Sequence, residues 1–335
     1  MSSTNEGTIT VSVHDNSDES NSQKDKDAEV KKKLKWLNID YLLVGRTGIV
    51  AKPNVYLQAF VTSRQDMLCL FQSDLRMMSW RSRSTKDLRK EITEAMAACA
   101  RVKQQLHLDA SESNLALFDL CSGKGMLSIL LAHEFPLATI HMIDNNPKMN
   151  LTHLQALPTV QYHLMNLFSQ ELEDLIQSEI KRGKAIVLCG IHLCGDLSRR
   201  ALELWEFGQE RILSTDDGGG QQRISLVLSP CCLVKEKRPK KRRYGTFGYY
   251  LGSQAKEENK DPYDLWCQLL HDSVPDHVES AVSSNIVNDD VDGSGRGNTE
   301  GYRTRQVETT MDRDFDMLSD KNAFIVVKTA PTITA

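Results

Sequence analysis

Five short apolar runs constrain this chain more than any other feature: LALFDL (115–120), ATIHMI (138–143), VQYHLM (160–165), AIVLCGI (185–191) and ISLVLS (224–229). Each has the length and near-continuous hydrophobicity of a strand buried on both faces. Between them, segments 124–134, 146–156, 169–181 and 196–206 have helical length and spacing. Strands alternating with helices predict βαβ units and an open, doubly wound, mostly parallel α/β sheet.

The flanks are read around that centre. AFIVVKT (323–329) is expected as a closing strand paired with YRTRQVETT (302–310). Upstream, Leu88, Ile92, Ala95, Met96, Cys99, Val102 and Leu106 recur at i, i+3, i+4 spacing, which predicts a helix starting near Ser84 or Thr85. Residues 34–84 break short apolar runs with Gly and Pro and are expected to be an irregular or β-rich accessory region. Residues 1–33 are polar and charged, too poor in apolar surface to offset their ordering entropy, and read as a disordered tail. Residues 272–300, rich in Asp, Ser, Asn and Gly, are expected to be a long mobile insertion within a domain spanning 85–335, which also carries a basic loop at 233–252.

With 335 residues, 40% of them hydrophobic, the chain can bury a substantial core. Its net charge of −4 excludes a global polycation, so any nucleic-acid contact has to be local. The first residues lack the basic and apolar regions of a secretory signal, and no run approaches the ~18 apolar residues of a membrane span. An intracellular protein of nucleus or cytoplasm, with no membrane partner and an open oligomeric state, is expected. Its eight cysteines are then expected as reduced thiols.

The first strand ends in Asp119 and runs through Cys121, Gly123, Lys124 and Gly125 into a helix. A glycine turn between strand and helix lets a ligand approach the backbone and presents it with a helix N-terminus. The second strand ends in Asp144, nineteen residues after Gly125, where a carboxylate can accept both hydroxyls of a nucleoside ribose. Dinucleotides and S-adenosylmethionine both use this arrangement. An acid at the end of the first strand suits the methionine ammonium of the methyl donor and would repel a pyrophosphate. A βαβ unit whose glycines only permit a tight turn is the plainer alternative.

FDLCSGKGMLS, IDNNP, GIHLCGDLS and LSPCC occur in this order. Together they resemble the S-adenosylmethionine-dependent methyltransferase family that contains the eukaryotic tRNA position-4 2′-O-methyltransferases and related methyltransferase-like proteins. The resemblance covers roughly residues 85–235 and the closing strand, and implies a Rossmann-like fold of class I methyltransferase type. It implies that Asp119, Gly123 and Gly125 hold the methionine part of S-adenosyl-L-methionine, Asp144 its ribose and Asn166 its adenine, with Cys121, Lys124 and Asn145 beside them. The tRNA enzymes also carry an upstream Cys/His zinc module and a Cys-Cys-His-His-type sequence after the fifth strand. This chain departs from both: upstream it has only Cys69 and Cys99, and Cys232 is followed by Leu233.

IHLCGD leaves the fourth strand and PCC the fifth, so His192, Cys194, Cys231 and Cys232 converge beside the cofactor seat if those strands are neighbours. Four readings stand. A zinc site would need His192, Cys194 and the vicinal cysteines around one ion, without the usual Cys-x-x-Cys knuckle. Cys231 or Cys232 could attack a pyrimidine ring. His192 could act as general base, imidazole titrating near neutrality, with the cysteines shaping the pocket. All could equally be packed filler, since cysteine is among the most buried residues. The catalytic candidates are His192, Asp196, Cys231 and Cys232, with no metal expected; the tetrad of amino-methylating enzymes is absent.

KEKRPKKRR follows the fifth strand, and Tyr244, Phe247, Tyr249 and Tyr250 follow it. Lys235, Lys237, Arg238, Lys240, Lys241, Arg242 and Arg243 can neutralise phosphates while aromatic rings stack on bases, which points to RNA. A nuclear import signal is the competing reading of the same residues. The expected function is methylation of RNA, tRNA or rRNA. The alternatives are an inactive RNA-binding or scaffold protein of the same fold, and a protein methyltransferase.

Overall fold

The structure is a computed structural model that describes residues 43, 54–64, 85–105, 113–214, 222–231, 247–283 and 300–329. Two helices, α1 (Val55–Ser63) and α2 (Thr85–Gln105), precede the first strand. The alternating core then runs β1 (Leu115–Leu120), α3 (Met126–Glu134), β2 (Thr139–Asp144), β3 (Val160–Leu164), α4 (Gln170–Lys181), β4 (Ala185–Leu193), α5 (Asp196–Leu213) and β5 (Ile224–Pro230). After it come α6 (Phe247–Glu257), α7 (Pro262–Asp272), β6 (His277–Ser283), β7 (Glu300–Arg313) and β8 (Ala323–Thr329).

The strands form one sheet in the order β3-β2-β1-β4-β5-β8-β7-β6. β1 to β5 are parallel, and β8, β7 and β6 add antiparallel. The class expected from the sequence, an α/β fold with a doubly wound and mostly parallel sheet, is the one observed. The sheet order reverses at β1, so β1 and β4 flank the crevice where open α/β sheets seat ligands.

Strand alternation explains why the central runs are apolar throughout. On β1, Leu115 and Leu117 join the core under α1, α2 and α3, while Ala116, Phe118 and Leu120 join the core under α4, α5, α6 and α7. Successive side chains point to opposite faces, and here both faces are covered.

The structure departs from expectation in four places, three of them in the flanks. Within 34–84, expected irregular or β-rich, Val55–Ser63 is a helix whose cap, Asn54, accepts from Tyr56 and Leu57 backbone N–H groups through its side chain. Within the expected mobile insertion 272–300, His277–Ser283 is a strand paired residue for residue with β7, because an adjacent edge supplies backbone partners that composition does not reveal. Phe247–Glu257, partly inside the expected basic loop 233–252, is helical. The helix expected at 146–156 is reduced to a 3₁₀ turn at Thr152–Ala156; Pro147 removes a donor, and Asn146 and Asn150 side chains accept from Lys148 and Thr152 backbone N–H groups, which favours turns over helix. The tail 1–33 lies outside the described residues. No helix among the described residues is long and apolar enough to cross a membrane.

Candidate functional site

The loop from Cys121 to Gly125 turns β1 into α3 and is fixed from several sides. Ser122 N–H donates to the Ile143 carbonyl at 3.0 Å, and Gly125 N–H closes a turn on the Ser122 carbonyl at 2.9 Å. His153 Nε2 donates to the Lys124 carbonyl at 2.8 Å. Gly123 and Gly125 both have left-handed backbone, φ 54° and 83°, which glycine alone adopts without a Cβ penalty. A Cβ on Gly125 would meet Met142 Sδ at 2.9 Å, whereas one on Gly123 would project into open space. The backbone at Gly123 is therefore open to a ligand.

Asp119 and Asp144 have separate jobs. Asp119 is 3% exposed, and its Oδ2 accepts from both the backbone N–H and the hydroxyl of Ser128, at 3.1 and 2.6 Å, at the positive end of α3. Burial raises its pKa to about 7, the Ser128 hydrogen bonds pull it down, and Asp144 adds a smaller upward push. Asp144, at the end of β2, accepts from Gly123 N–H through Oδ2 at 3.0 Å and from Asn146 N–H through Oδ1 at 2.9 Å. A carboxylate has about four acceptor positions, so both oxygens keep capacity for a diol.

A cavity of about 410 Å³ opens against this loop, within the roughly 300–1,000 Å³ typical of ligand sites. Its lining takes in five of the expected cofactor residues, Asp119, Cys121, Gly123, Lys124 and Gly125, together with the expected base His192. The seat thus fits a nucleoside-bearing methyl donor on two observations: the open backbone at Gly123 and the acid of Asp144 hydrogen-bonded to it. Asp144, Asn145 and Asn166 stand outside the cavity lining. Asn145 and Asn166 are exposed, and the Asn166 side chain accepts from Phe168 N–H at 2.9 Å.

β4 and β5 are neighbours, as the convergence of His192 with the cysteines requires. The register shifts between Ile191 and Leu193, and His192 at the bulge has φ 59°, a conformation rare outside glycine. The bulge brings the imidazole to the cavity and to α2, where Nε2 comes within 2.5 Å of Glu94 Oε1. The cysteines have other surroundings. Cys194 Sγ donates to the His192 carbonyl at 3.6 Å, Cys231 N–H donates to the Leu193 carbonyl at 3.0 Å, and both side chains are half-buried. Asp196 opens α5, and none of Cys194, Asp196 or Cys231 lines the cavity. Burial and the nearby Asp144 push the Cys121 thiol up to about 12, which keeps it protonated at neutral pH. Among the described residues, no group of three or more His, Cys, Asp or Glu side chains could hold a metal ion. Cys232 and the basic positions Lys235 to Arg243 lie outside the described residues.

Sequence reasoning missed Glu91 and Glu94 of α2, which also line the cavity. The available signal was an acid, Glu94, inside the otherwise apolar face that carries Ile92, Ala95 and Ala98.

Residues 87–215, less than half of the chain, match a family model described as a methyltransferase domain. No curated protein matches the chain. Solved structures similar to it include the precorrin-6y C5,15-methyltransferase of Geobacter metallireducens, at 12% identity over 70% of this chain and 86% of that one, with a TM-score of 0.30. A SAM-dependent methyltransferase of Anabaena variabilis is similar at 14% identity over 69% and 82%, TM-score 0.32. The plantazolicin methyltransferase BpumL, in complex with SAH, is similar at 12% identity over 90% and 99%, TM-score 0.31. Likeness at this level bears on neither the substrate nor the site residues of this chain.

Proposed function

We propose that this chain, an S-adenosylmethionine-dependent methyltransferase by the domain matched over residues 87–215, methylates RNA, with His192 as the base that relieves the acceptor of its proton. The observation that carries the donor seat is the hydrogen bond from Gly123 N–H to Asp144 Oδ2, which joins the open glycine loop to the acid expected on the ribose. Bound S-adenosylmethionine supplies a methyl group already activated on a sulfonium, so the protein contributes mainly placement. Asp144 would accept from the ribose hydroxyls, and Gly123 would let the donor lie against the backbone. His192, in the lining of the same cavity, would take up a proton from a hydroxyl or ring N–H.

The RNA reading is supported by the position of the basic run in the chain. Cys231 follows directly on β5, beside the bulge that carries His192, and Lys235 is four residues further on. Four residues of chain span at most about 14 Å, so the run of seven cations, Lys235 to Arg243, begins no further than that from Cys231. Cations there would hold the phosphates of an RNA strand while the acceptor enters the cavity.

The test has two arms. Calorimetry with S-adenosylmethionine should show binding to the wild type that is lost in Asp144→Ala. Labelled methyl transfer to total RNA from cells lacking the protein should then depend on the wild-type protein and fall in a variant with Lys240, Lys241, Arg242 and Arg243 all changed to Ser. Donor binding with label appearing only in protein, or nowhere, overturns the RNA substrate and leaves the donor seat standing.

A further inference from the structure

We propose that Glu94 is a positioning residue for His192, holding the imidazole so that Nε2 carries its proton toward the carboxylate and Nδ1 is the atom that accepts a proton from the substrate. The inference rests on the reading of His192 as the base and adds to it the partner, the working nitrogen and the class of acceptor.

Three observations converge on the pair. First, Glu94 is 4% exposed although it is charged, and it sits on the face of α2 that packs against β4. A buried carboxylate is costly unless it is paired. Second, its Oε1 lies 2.5 Å from His192 Nε2, and neither atom has a hydrogen-bond partner elsewhere among the described residues. The two meet within hydrogen-bond distance but off the ideal hydrogen-bond angle. Lys90 Nζ stands 3.1 Å from the same oxygen, one helical turn back on α2, as an ion pair on the outer side. Third, the bulge between Ile191 and Leu193 and the left-handed backbone of His192 are the local irregularities of β4, and together they bring the imidazole to Glu94. Strained backbone persists where the surrounding structure holds it, and it clusters at functional sites.

The pair also constrains the acceptor. With Nε2–H turned to Glu94, Nδ1 keeps its lone pair. A hydroxyl or ring N–H entering the cavity gives its proton to Nδ1, and its bonding electrons stay on the oxygen or nitrogen as the nucleophilic pair. The imidazolium so formed faces the Glu94 carboxylate, which offsets its charge. After the product leaves, the proton passes to water and Nδ1 is free again. Glu91, Glu94 and Asp119 outnumber the one lysine of the lining, Lys124, and this excess of acids favours a neutral protic group over a phosphate oxygen as the methylated atom.

The test reads the tautomer directly. The full chain is labelled with 15N-histidine, the His192 signals are assigned by their loss in His192→Asn, and spectra are recorded at about pH 8.5, about two units above the value of free imidazole side chains. The wild type should show Nε2 protonated and Nδ1 bare, and Glu94→Ala should convert this to a mixture of tautomers. Glu94→Gln keeps the size of the side chain should the alanine variant fail to fold. It should lower the rate of methyl transfer by about 10–100-fold, as loss of a residue that orients a functional histidine typically does, with the KM for the donor unchanged. An Nδ1-protonated wild type, or a tautomer that does not respond to Glu94→Ala, overturns the pairing. A wild-type protein that does not bind S-adenosylmethionine overturns the donor seat instead, an outcome the tautomer measurement does not share.

Discussion

The backbone N–H of Gly123 donates to Asp144 Oδ2 at 3.0 Å, so the loop after β1 and the acid at the end of β2 are one unit. Removing the carboxylate in Asp144→Ala should do two things at once. Donor affinity should fall, and the protein should lose about 1–2 kcal/mol of stability, the low end for a hydrogen bond to a charged group because Asp144 is half exposed to water. Calorimetry and denaturant unfolding measure the two effects. A variant that binds the donor like the wild type removes Asp144 from the seat.

Asp119 should give donor binding a pH dependence. Its folded pKa, raised to about 7 by burial, lies above the unfolded value near 3.8. The stability it contributes is therefore full below about 3.8 and is lost as pH rises toward 7, by an amount on the order of a few kcal/mol. A cationic donor favours the ionised form, so below pH 7 its binding should release a proton. Calorimetry in buffers of different ionisation enthalpy should detect that proton in the wild type and not in Asp119→Asn. Equal proton release in both assigns it to another group.

His141 should limit stability in acid. It is 1% exposed, stacked on Phe118 at 4.6 Å and 3.0 Å from His163 Nε2 through its Nδ1, with Glu179, Lys184 and Arg182 close by. Burial lowers its pKa to about 4, against the attraction of Glu179. The unfolded chain binds the proton first, so stability present above about pH 6.5 is lost as pH falls toward 4, up to about 3 kcal/mol. In His141→Phe the loss over that window should shrink, and an unchanged acid limb in urea unfolding would place the effect elsewhere.

The helix that carries Glu94 is anchored at its far end by Arg101. The guanidinium reaches Asp312 at 2.7 Å and Asp314 at 2.8 Å and lies 3.9 Å over the Phe324 ring, while Tyr56 donates to Asp314 at 2.5 Å. Arg101→Ala would leave the buried Asp314 without its cation and should cost about 3–5 kcal/mol. A loss below 1 kcal/mol in denaturant unfolding would show that the network does not hold α2 to the sheet.

The central βαβ pattern was legible because each run of β1 to β5 is apolar at consecutive positions, and only a sheet covered on both faces accommodates that. The Gly123, Gly125 and Asp144 arrangement was legible because it is local: a turn and an acid at fixed spacing along one strand-helix-strand unit. Glu94 was legible only in part: it interrupts the apolar face of Ile92, Ala95 and Ala98, but whether such an acid meets water or presses against β4 depends on how the helix is rotated against the sheet. The strand His277–Ser283 escaped for a related reason, since its polar composition signals a loop until β7 offers it an edge.

The sequence by itself determined the fold class and the glycine turn after β1, since both follow from the periodicity of side chains and the conformational freedom of two glycines, which act over a few residues. Only the tertiary structure decided which elements face one another: that the bulge in β4 brings His192 to the cavity, that α2 delivers Glu94 to its Nε2, and that Cys194 and Cys231 stand aside. Such contacts join residues about a hundred positions apart, and their geometry is fixed by helix packing and strand register rather than by any local preference.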